Sequence, residues 1–310
     1  MTKVVRRTAT LVFMGSPDFA LSTLKALAQQ YEVVGVVTQP DRASGRGREL
    51  KSPPVKLLAQ ELNIPVIQPE KLRQPEAMEQ LRAWNPELIV VAAFGQILRK
   101  DVLELPRYGC INVHASLLPR WRGAAPINAA ILNGDEETGI TIIKMDVGLD
   151  TGPILTQRSI ALTRDDTAGS VFETLSHLGA NLLIETLPDY LSGKIQPMPQ
   201  PEEGVTYAPM LKKEEGHLDF NHSVDELERR VRAFNPWPGA FMDFDGTLLK
   251  IHRAHVEAGK AEVGQRLIYR DQPAVGAAGG LLILDDVQPA GKKSMSGKSL
   301  LAGARHWVRT

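Results

Sequence analysis

The first third of the chain carries apolar, β-branched runs of strand length whose residues are hydrophobic at consecutive rather than alternate positions. TLVFMG (10–15), YEVVGVVT (31–38) and ELIVVAAFG (87–95) share this pattern. A strand apolar on both faces is buried on both faces, as in a parallel sheet covered by helices. Between the first two runs, SPDFALSTLKALAQQ repeats apolar residues at helical spacing, with Ser16 as the expected N-cap and Pro17 at the first helical position. SPPVKLLAQELN (52–63) repeats that start. Further strands are expected over 110–114, 139–145 and 154–162, and a long helical pattern, SVFETLSHLGANLLIETLPDYLSG, ends near Gly193. Strands alternating with helices predict an α/β fold, a Rossmann-like and mostly parallel sheet with helices on both faces.

The periodicity then stops. KIQPMPQPEEGVTYAPMLKKEEG is rich in proline and charge and reads as a linker. Beyond it lie a helix, SVDELERRVRAF, and strand-like runs, AFMDFDGTLLKIHRAHV and GGLLILDDVQPA, with Gly- and Asp-rich turns. Short strands with such turns predict a small C-terminal β-barrel, OB-like, closed by a short helix. The expected organisation is a first domain over 1–192, a linker over 193–209 and a second domain over 210–310.

Composition narrows the function classes. Lys+Arg and Asp+Glu are equal at 36 each, so a polyanionic partner must be met by local patches rather than by net charge. The single cysteine, Cys110, excludes an internal disulfide and a cysteine-rich zinc site. With no basic neighbour in sequence, Cys110 reads as a buried thiol filling the core. His252 and His255 have no accompanying thiol or acidic cluster, so no metal is expected. The N-terminus begins basic, but its apolar run is short and Asp18 interrupts it, and no run of about 18 apolar residues follows. A soluble, cytoplasmic, monomeric protein without a membrane segment is expected. MGSPDFA has one glycine where a dinucleotide fingerprint needs three, which argues against a nicotinamide cofactor.

Candidate chemistry gathers at the fourth expected strand, in CINVHASLLP. If 110–114 is extended, Asn112 and His114 project from one face while Ile111 and Val113 project from the other. Two polar groups then share the carboxyl end of a strand, where ligands gather in open α/β sheets. An amide beside an imidazole can donate to an oxygen that becomes negative during acyl transfer. A carboxylate would orient the imidazole, and MDVGLDTGP (145–153) offers two, Asp146 and Asp150. Spacing does not choose between them.

CINVHASLLPRWRGAAPI, MDVGLDTGP, TQPDR…GRGRELKSPPVK and RAFNPWPG together resemble the methionyl-tRNA formyltransferase family, the tRNA-specific branch of the folate-dependent formyltransferases. The resemblance spans nearly the whole chain. It implies a catalytic trio of Asn112, His114 and Asp150, with 10-formyltetrahydrofolate as co-substrate and initiator methionyl-tRNA as acceptor. It implies folate contacts from Ser116, Leu117, Leu118 and Pro119, joined by Phe94, Gly95, Ile97 and Leu98. Arg120 and Arg122 are candidates for the acidic tail of folate or a tRNA phosphate. Two basic stretches, DRASGRGRELKSPPVK and GKKSMSGKSLLAGARHWVRT, are expected to meet tRNA through Arg42, Arg46, Arg48 and Lys51, and through Lys292 and Lys293. FNPWPG reads first as a rigid corner. Two other classes share part of the pattern: a folate enzyme acting on a small amine, and a non-catalytic RNA-binding protein on the same scaffold.

Overall fold

The structure is a computed structural model that describes residues 7–44, 49–304 and 306–308. The chain divides into two compact units, one made of residues 1–123, 138–160 and 172–207, the other of 124–137, 161–171 and 208–310.

The first unit is built on strands β1 (Arg7–Gly15), β2 (Tyr31–Val37), β3 (Arg42–Ser44), β4 (Glu49–Lys51), β5 (Val66–Ile67), β6 (Leu88–Ala92), β7 (Cys110–His114), β8 (Arg122–Gly123), β9 (Glu137–Lys144) and β10 (Ile154–Ala161). Seven of them form one sheet in the order β10-β9-β7-β6-β1-β2-β5, and β3 and β4 form a separate hairpin. The pairs β5–β2, β2–β1, β1–β6 and β6–β7 are parallel. β9 departs from this and runs antiparallel to β7, pairing Asn112 with Ile143 and His114 with Thr141. From β1 the chain builds outward to β2 and β5, then returns to the other side of β1 with β6. This reversal of strand order is the feature that opens a ligand crevice at the carboxyl ends of such sheets.

The two-sided apolar runs are as deeply buried as their pattern requires: Leu11, Val12, Phe13 and Met14 of β1 are fully enclosed, as are Leu88, Ile89 and Val90 of β6. Helices α1 (Phe19–Gln30), α2 (Pro54–Glu61), α3 (Pro75–Trp84) and α4 (Lys100–Leu103) connect these strands. Ser16 is not the cap of α1, whose N-cap is Asp18, two residues later. The Ser16 hydroxyl instead accepts the Gln39 N–H at 3.0 Å and the Thr38 hydroxyl at 3.2 Å, tying the loop after β1 to the end of β2. Likewise α2 begins on Pro53 as N-cap, with Pro54 inside its first turn. No helix among the described residues is long and apolar enough to cross a membrane.

Helix α5 (Pro126–Leu132) groups with the second unit, which moves residues 124–137 out of the expected first domain. The reason is a tertiary dock onto α7 (Val224–Ala233). Asn128 donates to the Ala233 carbonyl at 2.7 Å, and Arg229 donates to that of Leu132 at 3.0 Å. Helix α6 (Ala168–Leu191) follows β10. α7 is written clearly in its residues: Ser223 caps it by accepting the Glu226 N–H, acidic residues fill the first turn and arginines the last.

A two-residue strand, β11 (Tyr207–Ala208), precedes the antiparallel sheet formed by β12 (Ala240–Phe244), β13 (Thr247–Glu257), β14 (Arg266–Tyr269), β15 (Gln272–Ala277), β16 (Gly280–Pro289) and β17 (Met295–Ser296). Its path is β12-β13-β16-β15-β14, with β17 on β16, followed by α8 (Gly297–Gly303). Side chains join the two edges of this path. Arg266 of β14 lies over the Phe244 ring of β12 at 5.0 Å and pairs with Asp245 at 3.3 Å. This is the partly open barrel of OB-like domains.

The proline-rich segment expected as a linker is not a free connector. Residues 193–207 pack as a strap on the first unit: Ile154 and Met198 exchange both backbone hydrogen bonds, at 2.7 and 2.9 Å, and Arg122 donates its N–H to the Thr206 carbonyl at 2.9 Å.

Candidate active site

β7 carries Asn112 and His114 on one face, as alternation along a strand demands, and both are nearly enclosed. The Asn112 amide donates to Oδ1 of Asp150 at 3.4 Å, and Nδ1 of His114 lies 3.7 Å from Oδ2 of the same carboxylate. Oδ2 also accepts the backbone N–H of Gly123 at 2.9 Å. The three side chains read from the sequence therefore converge.

The structure separates the two aspartates that spacing left equal. Asp146 is exposed and serves its own loop, accepting the Gly148 N–H at 3.0 Å and the Thr151 hydroxyl at 2.6 Å. Asp150 is the carboxylate that faces β7. Its backbone is left-handed, with φ of 52°. The loop folds so tightly that a Cβ at Gly152 would run into the Lys144 carbonyl.

The turn after β7 holds the imidazole. His114 Nε2 is 3.0 Å from the Trp121 carbonyl, which can only accept, so Nε2 is assigned as the protonated nitrogen and Nδ1 faces Asp150. Trp121 also has a left-handed backbone, φ 63°, and its N–H is held by the Thr206 hydroxyl at 2.9 Å. Ser116 is fully buried, its hydroxyl donating to the Arg120 carbonyl at 2.6 Å. Thr141 donates to the Ser116 carbonyl at 2.6 Å and accepts the Leu118 N–H at 3.0 Å. Ser116 and Leu118 thus shape the turn from behind, while Leu117 and Pro119 are half-buried.

Of the residues expected beside them, Phe94 and Leu98 sit in the core with Val12, Ile89 and Cys110. Gly95 and Ile97 are exposed, Ile97 to 85%. A cleft of about 550 Å³ opens beside the aspartate loop, lined by the charged side chains Lys100, Glu104, Arg107, Lys144 and Asp146 as well as by Leu103, Pro106, Gly109, Met145 and Val147. Cys110 is enclosed, and burial pushes its thiol up to about 12.

Arg120 lies over the Trp121 ring at 4.3 Å and is exposed. Arg122, the other candidate for the acidic tail of folate or a tRNA phosphate, is buried, and its Nε and Nη2 donate to Oε1 of Gln200 at 3.1 and 2.7 Å. Gln200, on the strap, had no sequence signal, since it lies in an aperiodic proline-rich stretch. It is nonetheless the side chain that holds the aspartate loop, donating to the carbonyls of Asp150 and Gly152 at 2.7 and 2.8 Å.

The basic residues fall in three groups. Arg42 and Lys51 are exposed and stand opposite one another in the β3–β4 hairpin. Lys56 behind them is paired with Asp41 at 2.6 Å, and hydrogen bonds from Gln68 and Lys56 hold the Asp41 carboxyl below the usual carboxylate range. Arg46 and Arg48 lie outside the described residues. Lys292 and Lys293 are exposed in the second unit. His255 pairs with Asp285 at 2.9 Å and His252 with Gln288 at 3.1 Å, so these histidines serve separate partners. In FNPWPG, Gly239 donates its N–H to the Phe234 carbonyl at 2.8 Å and Asn235 donates to that of His252 at 2.9 Å, while Trp237 remains half exposed.

Residues 6–187 match the formyl transferase family model, and residues 210–305 match the model of the formyl transferase C-terminal domain. The chain is 50% identical over 294 residues to the methionyl-tRNA formyltransferase of Myxococcus xanthus, covering 94% of each protein. Among solved structures, it resembles an N-formyltransferase from Helicobacter canadensis in complex with folinic acid and dTDP-3-aminofucose. The TM-score is 0.65 at 18% identity, covering 91% of this chain and all of that one. It also resembles HypX from Aquifex aeolicus in complex with tetrahydrofolic acid, with TM-score 0.63 at 16% identity. That match covers 97% of this chain, which spans about half (48%) of HypX. At these identities the structural likenesses speak for the fold alone.

Proposed function

This chain belongs to the formyl transferase family, and we propose that it transfers the formyl group of 10-formyltetrahydrofolate to the α-amino group of methionine on initiator tRNA. The observation that carries this reading is the meeting of Asn112, His114 and Asp150 at the end of β7.

In this reaction the free amine attacks the formyl carbon, whose oxygen becomes negative. The amide of Asn112 is a donor for that oxygen, and so is Nδ1 of His114 in the doubly protonated ring, whose Nε2–H stays on the Trp121 carbonyl. Because the Trp121 carbonyl occupies Nε2, only Nδ1 is left to turn toward substrate. Asp150 orients both donors and stands ready to take the proton the amine loses. The carbon–nitrogen bond to the folate then breaks, and the departing nitrogen regains a proton. Donors fixed before reaction stabilise the developing charge without reorganising.

For the folate, the turn after β7 and the segment after β6 carry the expected wall for a flat heterocycle. Exposed Gly95 and Ile97, with Leu117 and Pro119, supply its contacts, and Phe94, Leu98, Ser116 and Leu118 support them from the core. For the tRNA, phosphates are met by Arg42 and Lys51, together with Arg46, Arg48, Lys292 and Lys293. Like charges facing one another across a hairpin disfavour it until an anion neutralises them. A tRNA substrate supports the reading of a cytoplasmic protein.

The test is to mix purified protein with 10-formyltetrahydrofolate and charged initiator tRNA and to look for N-formylmethionine. Formyl transfer to a small amine such as glycinamide ribonucleotide, with none to tRNA, would assign another folate enzyme. Tight RNA binding without product would remove catalysis altogether.

A further inference from the structure

We propose that Gln200 is a positioning residue for this reaction: from the 193–207 strap it holds the Asp150 loop in the shape that brings the carboxylate to Asn112 and His114. The inference rests on the formyl-transfer reading and extends it to a residue outside the catalytic trio.

Asp150 sits in a left-handed backbone conformation, φ 52°, which is uncommon for residues with a side chain although Asp tolerates it better than most, so the loop's shape depends on what holds it. One amide grips the loop through its backbone carbonyls. Gln200 Nε2 donates to the carbonyl of Asp150 at 2.7 Å and to that of Gly152 at 2.8 Å, gripping the loop on both sides of Thr151. The other end of the same amide is anchored in turn, because its Oε1 accepts Nε and Nη2 of Arg122. Arg122 is only 9% exposed, so this anchor is fixed within the protein.

Arg122 belongs to the segment that places the remaining groups. Trp121 gives its carbonyl to His114, and Gly123 gives its N–H to Asp150 Oδ2. Gln200 therefore closes a ring from the segment that orients the imidazole to the loop that supplies the carboxylate. The position needs a side chain that accepts from a guanidinium and donates to two carbonyls at once. A primary amide does both; a carboxylate lacks the donors and an ammonium lacks the acceptor.

The experiment uses the full chain, with steady-state transfer from 10-formyltetrahydrofolate to charged initiator tRNA. Gln200→Met removes both halves of the amide, and Gln200→Glu keeps only the acceptor for Arg122. Both are expected to lower kcat about 10- to 100-fold, the scale of a misplaced reacting group, with KM for either substrate within about twofold of wild type. The decisive readout is the combination with Asp150→Asn. A residue acting through Asp150 costs less than about a further twofold once that carboxylate is gone, whereas independent damage multiplies. Wild-type kcat in Gln200→Met, a loss confined to KM, or multiplying losses in the double variant would each overturn the proposal. If Gln200→Met does not fold, the same comparisons on Gln200→Glu decide. An inactive wild-type protein would instead defeat the formyl-transfer reading itself.

Discussion

Nδ1 of His114 lies 3.7 Å from the Asp150 carboxylate, while Nε2 of the same ring is taken by the Trp121 carbonyl. The ring has one nitrogen to spare, and it faces that carboxylate. A hydrogen bond from His114 to a reacting oxygen therefore uses the Nδ1 edge, where Asn112 and Asp150 also meet.

Loss of either donor should cost rate rather than fold. Asn112→Ala and His114→Ala are each expected to lower kcat by about 10²–10³, the usual cost of one oxyanion donor. Single-turnover formylation, with circular dichroism to follow folding, measures both. Near-wild-type turnover of either variant would remove that residue from the mechanism.

Gly152→Ala should be harmful although the added group is one methyl. Its Cβ would meet the Lys144 backbone carbonyl, which is itself fixed in β9. The loop must shift, carrying Asp150 with it. A melting temperature lowered by an overpacking penalty of about 1–3 kcal/mol is expected, with kcat falling further than stability alone explains. Unchanged melting and turnover would count against the tight loop.

Cys110 should be silent toward thiol reagents in the native state and reactive in denaturant, because burial raises its thiol to about 12. The same shift has a sign for stability. The thiol ordinarily ionises at 9.0, so below that pH both states keep the proton and nothing changes. Between there and about 12 the unfolded chain loses the proton first, and the folded state is progressively disfavoured as pH rises. Cys110→Ala should flatten that alkaline decline in denaturant titrations.

Arg42→Ala and Lys51→Ala should raise KM for tRNA and leave KM for the folate unchanged. Each should also reduce the slope of log binding constant against log salt by about one if it meets a phosphate. Binding titrations at several salt concentrations give the slope. An unchanged slope would make the hairpin pair bystanders.

Much of the fold was legible because its signals are local. Two-sided apolar runs marked β1, β2 and β6, the pattern of SVDELERRVRAF marked α7, and alternation within five residues placed Asn112 and His114 on one face of β7. Ser16 misled for a tertiary reason: its hydroxyl is worth more to the end of β2 than to the helix beside it. The reversal of β9 against β7 left no mark, since a buried strand reads the same in either direction.

By itself, then, the sequence determined the elements, the shared face of amide and imidazole, and the motifs that carry the family resemblance. These depend on neighbours a few residues apart, where chain geometry alone fixes direction. Tertiary structure decided that Asp150 rather than Asp146 faces β7, that Arg122 is buried, and that a proline-rich strap supplies Gln200. Those outcomes join residues 38, 78 and 50 positions apart, and the path by which a chain returns to itself over such distances is set by packing of the whole unit.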